Sequence, residues 1–199
     1  VICDSPTGIQ VRAREGQTVI QGNYIGTDAF GSRALGNTLW GTDLENARQV
    51  LIGGLSEGAG NLISCNGSPD GAGGGIRVGG SFGGSSPVIQ GNLIGTDAFG
   101  EDLGNVGCGI LIQQSSLPII GALPDGDGAS GGNAIAYSKT GTGPGPSGIG
   151  IRMDYFATGG FGPAMRANSI HDNEGLGICY LACTTPGTTI CALSRAANG

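Results

Sequence analysis

A thirteen-residue stretch occurs twice in this chain. Val19-Ile20-Gln21-Gly22-Asn23-Tyr24-Ile25-Gly26-Thr27-Asp28-Ala29-Phe30-Gly31 returns 69 positions later as Val88 to Gly100, with twelve of thirteen residues identical. Such self-similarity marks a molecule built from repeated units that stack on their neighbours. A shorter refrain, Asn-x-Ile, recurs at Asn23, Asn61, Asn92, Asn133 and Asn168, each set between an apolar or glycine pair and a turn. Gly22-Asn23 suits a sharp corner, because glycine and asparagine tolerate the left-handed backbone at little steric cost.

Between corners the apolar runs are short. Gly8-Ile9-Gln10-Val11 alternates as a strand does, placing Ile9 and Val11 on one face. Val19-Ile20, Val50-Leu51-Ile52, Ile76-Arg77-Val78, Ile110-Leu111-Ile112 and Ile119-Ile120 continue the series. The cycle predicts three short strands per circuit of roughly thirty to forty residues, the surplus looped outward, with the long repeat spanning two circuits. First-strand anchors are expected at Ile9, Leu39, Ile76, Ile110, Ile149 or Ile151, and Ile178. Stacked at the spacing of neighbouring strands, about 4.8 Å, the circuits enclose a narrow aliphatic shaft, with the five asparagines laddered at one corner. The expected fold is all-β, a right-handed single-stranded parallel β-helix of about five to six coils over residues 1–178, its hand following the general bias of parallel crossovers. Residues 179–199, rich in Cys, Thr and Ala, form a tail or cap.

Composition narrows the functional classes. Glycine supplies 43 of 199 residues without a Gly-X-Y period, which excludes collagen. Net charge is −6 with one lysine and eight scattered arginines, so the basic stripe that displaces counterions from nucleic acid is missing. No apolar run approaches the length of a membrane span. Six cysteines (Cys3, Cys65, Cys108, Cys179, Cys183, Cys191) lack Cys-x-x-Cys spacing and serve as small core fillers or as disulfides of an oxidising compartment. The first residue is Val1, not methionine, which reads as a processed or excerpted segment.

Gly-Asn-x-Ile-Gly-Thr-Asp-x-x-Gly, Ala59-Gly60-Asn61-Leu62-Ile63-Ser64 and Asn168-Ser169-Ile170-x-x-Asn173-x-x-Leu176-Gly177-Ile178 resemble the parallel β-helix repeats of large bacterial secreted and surface proteins, within the wider pectate-lyase-like superfamily. The resemblance covers roughly residues 8 to 178 and implies a secreted or cell-surface location and a carbohydrate-associated role, although fold alone does not transfer a reaction. The Asp and Arg clusters of pectate lyases and the Asp-Asp and Gly-His-Gly motifs of polygalacturonases are missing.

Candidate chemistry is sparse. Arg77 and Arg152 each follow a first-strand isoleucine and are expected to share a face, with Asp154 two residues beyond Arg152 on the same side. In a lyase or glycoside hydrolase such groups would neutralise a uronate or move its proton; as a surface ion pair they need no function. Gly79-Gly80-Ser81-Phe82-Gly83 matches the Gly-x-Ser-x-Gly elbow of serine hydrolases, with His171-Asp172 as base and orienting carboxylate, but glycine-rich composition produces this match by chance. Asp125-Gly126-Asp127-Gly128 offers alternating carboxylates to a cation, calcium being the candidate, without the downstream glutamate of a helix-loop-helix site. Thr27-Asp28 and Thr96-Asp97 read first as turn caps.

The functional expectation is a secreted or cell-surface β-helix domain that associates with polysaccharide or another extended polymer, using exposed Asn, Asp and Arg groups with Tyr24 and Trp40 as stacking rings. The rivals are a carbohydrate-active enzyme using Arg77, Arg152 and Asp154, an esterase using Ser81 and His171, and a structural segment of an adhesin. Open coil ends lead to an expectation of end-to-end self-association.

Overall fold

The structure is a computed structural model. It describes residues 1–12, 15–80, 86–113, 118–123, 131–156 and 163–183, and side chains at 155, 156, 182 and 183 are outside that description.

Sixteen strands and no helix make up the described residues, and every strand-to-strand ladder is parallel. The first sheet holds β1 (Thr7–Val11), β4 (Trp40–Glu45), β7 (Gly74–Gly79), β10 (Cys108–Gln113), β13 (Ile149–Phe156) and β16 (Ile178–Cys183) in that order. A second sheet holds β2 (Thr18–Ile20), β5 (Val50–Gly53), β8 (Val88–Gln90), β11 (Ile119–Gly121) and β14 (Ala164–Arg166). The third holds β3 (Tyr24–Ile25), β6 (Leu62–Ile63), β9 (Leu93–Ile94), β12 (Ala134–Ala136) and β15 (Ser169–His171). Each sheet takes every third strand, so the chain visits the three sheets in turn and each strand triple is a storey laid on the one before. This architecture fits a parallel β-helix.

Register puts like residues over like. Ile25, Ile63, Ile94, Ile135 and Ile170 form one inward column, and Ile20, Ile52, Ile89, Ile120 and Met165 another. Twelve of the largest side chains, most of them these isoleucines, are fully buried. β-branched chains are stiff and pack flat on a pleated surface, which suits a shaft one side chain wide. In the first sheet the inward column runs Ile9, Thr42, Ile76, Ile110, Ile151, Ile178. Leu39, the expected anchor, lies one residue before β4 and is exposed; Thr42 takes the interior place. The apolar pair Leu39-Trp40 misleads there because the strand it introduces carries its inward positions two residues later.

The first asparagine ladder is present as expected. Asn23, Asn61, Asn92 and Asn133 each donate a side-chain amide hydrogen to the Oδ1 of the next ladder residue, at 2.9–3.1 Å. Each backbone N–H reaches the same oxygen at 3.0 Å. From the second storey on, the Nδ2 also satisfies a carbonyl of the preceding storey: Asn61 to Ile20, Asn92 to Ile52, Asn133 to Ile89, Asn168 to Ile120. Corner backbone that no sheet can pair is thus closed by side chains.

A second ladder, not anticipated, stands at the turn from the third sheet into the first. Ser5 N–H donates to Asn37, Asn37 to Asn66 and Asn66 to Asn105, and farther along Ser138 N–H donates to Asn173. Ser138 interrupts this column, and its buried hydroxyl has no hydrogen-bond partner. Beside it runs a row of glycines, Gly8, Gly41, Gly75, Gly109 and Gly150. A Cβ on Gly41 would lie 2.8 Å from both the Gly75 oxygen and Ile63 Cγ2, and 2.9 Å from Asn66 Nδ2. Much of the glycine content therefore answers to a tight corner in which strand backbone, ladder and isoleucine column meet.

Candidate functional site

The outward positions of the third sheet run Tyr24, Leu62, Leu93, Ala134, Ser169. Tyr24, Leu62 and Leu93 of this strip line a groove, with loops on both sides of it.

One wall is made by the two copies of the long repeat. In the first copy Thr27 bridges Ala34 and the Leu35 amide donates to the Gly26 carbonyl; in the second, Thr96 bridges Asp102 and the Leu103 amide donates to Gly95. Each loop is closed by its aspartate. Asp28 Oδ1 accepts from the amides of Ser32, Phe30 and Arg33, and Asp97 Oδ1 from Phe99 and Glu101. The Ser32 amide, followed by those of Arg33 and Phe30, holds the Asp28 carboxyl below its ordinary value. The two aspartates act as turn caps, the preferred reading of the sequence. The loops belong to the first and third storeys, yet the Ala98 amide donates to the Gly31 carbonyl at 3.0 Å, so they close over the storey between and bury Leu62. Phe30 and Phe99 stand at their tips, 78% and 81% exposed.

The opposite wall is the segment Gly53 to Gly60, where Ala59 N–H turns back to Ser56, Gly22 N–H joins Ala59, and Gln21 Nε2 holds the Gly53 carbonyl. The groove has a volume of about 820 Å³ and runs along the stack from Val1 and Tyr24 through Leu62 and Leu93 to Gly131. Six of the described lining residues are glycines, which leave backbone groups open to a ligand, and Ser56 adds a hydroxyl. At the Gly131 end, Gln90 is 7% exposed and its Oε1 has no hydrogen-bond partner.

The catalytic candidates lie elsewhere. Arg77 and Arg152 do share the outer face of the first sheet, with Leu111 between them in register. Arg77 Nε pairs with Asp43 at 2.7 Å, and Asp43, 4% exposed, also accepts from Gln10. Arg152 grips Asp154 through two bonds of 2.8 and 2.9 Å and donates a third to the Pro146 carbonyl. Burial works to lower the pKa of Arg152, but the Asp154 carboxylate outweighs it and the net shift is upward. A guanidinium held in this way carries fixed charge and does not serve as a base. His171 belongs to the third sheet, its Nδ1 2.8 Å from Asp172 Oδ2 and its ring edge-on to Tyr137. The structure thus gathers Arg77, Arg152 and Asp154 on one face and sets His171 on another. Ser81, Asp125 and Asp127 lie outside the described residues, and among those described no cluster of His, Cys, Asp and Glu could hold a metal ion. Tyr24 and Trp40, expected together, are on different faces: Trp40 packs with Cys108, Leu111 and Ile149 outside the first sheet.

Cys3, Cys65 and Cys108 carry free thiols. Burial pushes both Cys65 and Cys108 up to about 11, the behaviour of inert packing residues. Cys108 and Cys179 share an apolar cluster, but β13 lies between their strands, placing them about 10 Å apart and beyond the roughly 7 Å reach of a disulfide.

The fold and groove define a stacked parallel-β protein with a ligand-sized channel along one sheet. No protein-family profile, curated protein or solved structure matches the chain. No helix among the described residues is long and apolar enough to cross a membrane.

Proposed function

We propose that this chain is a right-handed parallel β-helix, five full coils and the start of a sixth, from a secreted or cell-surface protein, and that it binds an extended polysaccharide along the groove of its third sheet. The observation that carries the reading is the groove's direction. Its lining takes residues from four successive strand triples, so a ligand filling it lies parallel to the stack and spans at least three strand spacings, about 14 Å. That shape suits a polymer. Sugar rings present flat C–H faces that suit Tyr24 and Leu93, while their hydroxyls suit Ser56 and the open glycine backbone. A peptide strand has less to gain, since the groove offers a sheet's face and no free edge for backbone pairing.

Affinity electrophoresis through gels cast with soluble polysaccharides tests this reading. Tyr24→Ala and Leu93→Asp are expected to abolish retardation, and Val19→Ser, on the outer side of the second sheet, to leave it unchanged. Retardation that survives both groove variants would refute the site. Release of reducing ends or unsaturated uronate products by the wild-type chain would instead establish an enzyme, with the Arg77 and Arg152 face as the place to look.

A further inference from the structure

The groove's charge is as informative as its shape. Among the described residues its lining side chains are aliphatic or neutral polar, and the Tyr24 phenol is the one ionisable side chain. The charged side chains carried by its walls are Asp28, Arg33, Asp97, Glu101 and Asp102 on the twin loops and Glu57 on the opposite segment. Arg33 lies close enough to Asp28 to lower its pKa, and the chain's one lysine, Lys139, is paired to Asp102 at 3.1 Å. The walls are therefore net acidic on a protein of net charge −6. Resting on the polysaccharide reading above, we infer that the groove selects an uncharged polysaccharide and rejects uronate, sulfated or phosphorylated ones.

Each carboxylate of an acidic polymer would lose hydration in a groove whose described lining side chains carry no cation, and burying a charge without a partner is strongly unfavourable. The field of the acidic walls opposes its approach as well. A neutral chain meets neither obstacle. Its hydroxyls match what the lining supplies: the Ser56 hydroxyl and the second lone pairs of glycine carbonyls. The resemblance of the repeats to acidic-polysaccharide enzymes therefore does not extend to the charge of this groove.

A glycan array carrying neutral and uronate hexasaccharides, probed with the whole chain, tests the inference, followed by calorimetry on matched pairs. The expected result is binding confined to neutral members, at least tenfold tighter than any uronate counterpart and little changed by added salt. Leu93→Lys, which places a cation on the groove floor, is expected to narrow that ratio by drawing in uronates. Uronate binding equal to or tighter than neutral binding overturns the inference while leaving the groove a polysaccharide site. Binding to no glycan overturns the polysaccharide reading, and the inference with it.

Discussion

The backbone amide of Ala98 donates to the carbonyl of Gly31 at 3.0 Å, tying together two loops whose storeys are not neighbours. The same skipping occurs at the next corner, where Thr142 and Gly143 donate to Pro69 and Asp70 across the storey that separates them. The 69-residue repeat is therefore a two-storey unit: the first and third storeys loop before the second ladder, the second and fourth after it. Each loop needs a short corner beside it to lean over.

This packing distinguishes two glycines that the repeat makes equivalent. Gly31 and Gly100 both have positive φ, +68° and +92°, but a Cβ on Gly31 would stand 2.7 Å from Leu62 Cδ2 and 2.9 Å from Ala98 Cβ, while Gly100 has nothing within 4 Å. Gly100→Ala is expected to cost about 1 kcal/mol in urea unfolding, the strain of left-handed backbone alone. Gly31→Ala adds the clash and is expected to cost roughly 1–3 kcal/mol more. Equal losses would mean the loops do not rest on each other.

The ladders make opposite predictions at two positions. Asn92 is buried, and its Oδ1 accepts from the Asn61 backbone and side chain, while its Nδ2 satisfies Ile52 and Asn133. Asn92→Ala orphans several buried groups and is expected to cost at least about 3 kcal/mol. Ser138→Asn supplies the missing rung between Asn105 and Asn173 and is expected to add about 1 kcal/mol. Thermal unfolding of both variants checks the pair.

Thr42 is buried in an isoleucine column with its hydroxyl unpaired. Thr42→Val keeps the shape and removes the stranded oxygen, so stability is expected to rise by about 1 kcal/mol. A loss on equilibrium unfolding would show that the hydroxyl has a partner in solution.

Acid should loosen the loops before the shaft. Asp28, Asp70 and Glu174 are held below their ordinary values of 3.8, 3.8 and 4.5, respectively by the Ser32 amide, the Ser68 hydroxyl and the Thr140 hydroxyl. A depressed carboxyl stabilises the fold above its unfolded pKa, and that contribution disappears as pH falls through the folded one. The melting temperature is thus expected to decline from about pH 5 downward, and Asp28→Asn to flatten the decline. An unchanged slope in that variant would remove Asp28 from the acid response.

The shaft was legible in the sequence because its determinants are local and periodic: an asparagine, one residue, then an isoleucine, at every third corner. The second ladder was not. From Asn61 to Asn66 is a short corner, but between Asn23 and Asn37 lies an entire hairpin, so no constant spacing reveals the column. Thr42 was hidden because a polar residue in an aliphatic column breaks the pattern that identifies the column. The groove could not be read at all. Tyr24, Leu93, Ala98 and Leu55 become neighbours only when loops from different storeys meet, whereas Tyr24 and Trp40, both conspicuous in the sequence, turn to separate sheets. Arg77 and Arg152 were correctly placed on one face and Arg152 beside Asp154, since strand alternation and register decide that much; the engagement of Arg77 by Asp43 depends on a side chain from another strand.

The most direct test of the account is a titration followed by amide chemical shifts, using the 19.6 kDa chain and a neutral hexasaccharide that it binds. Shifts are expected at Gly54 to Asn61, Leu93 and Ala98, in a band along the third sheet. Perturbation concentrated instead at Arg77, Leu111 and Arg152, with the groove amides unmoved, would place the ligand on the first sheet and contradict the account.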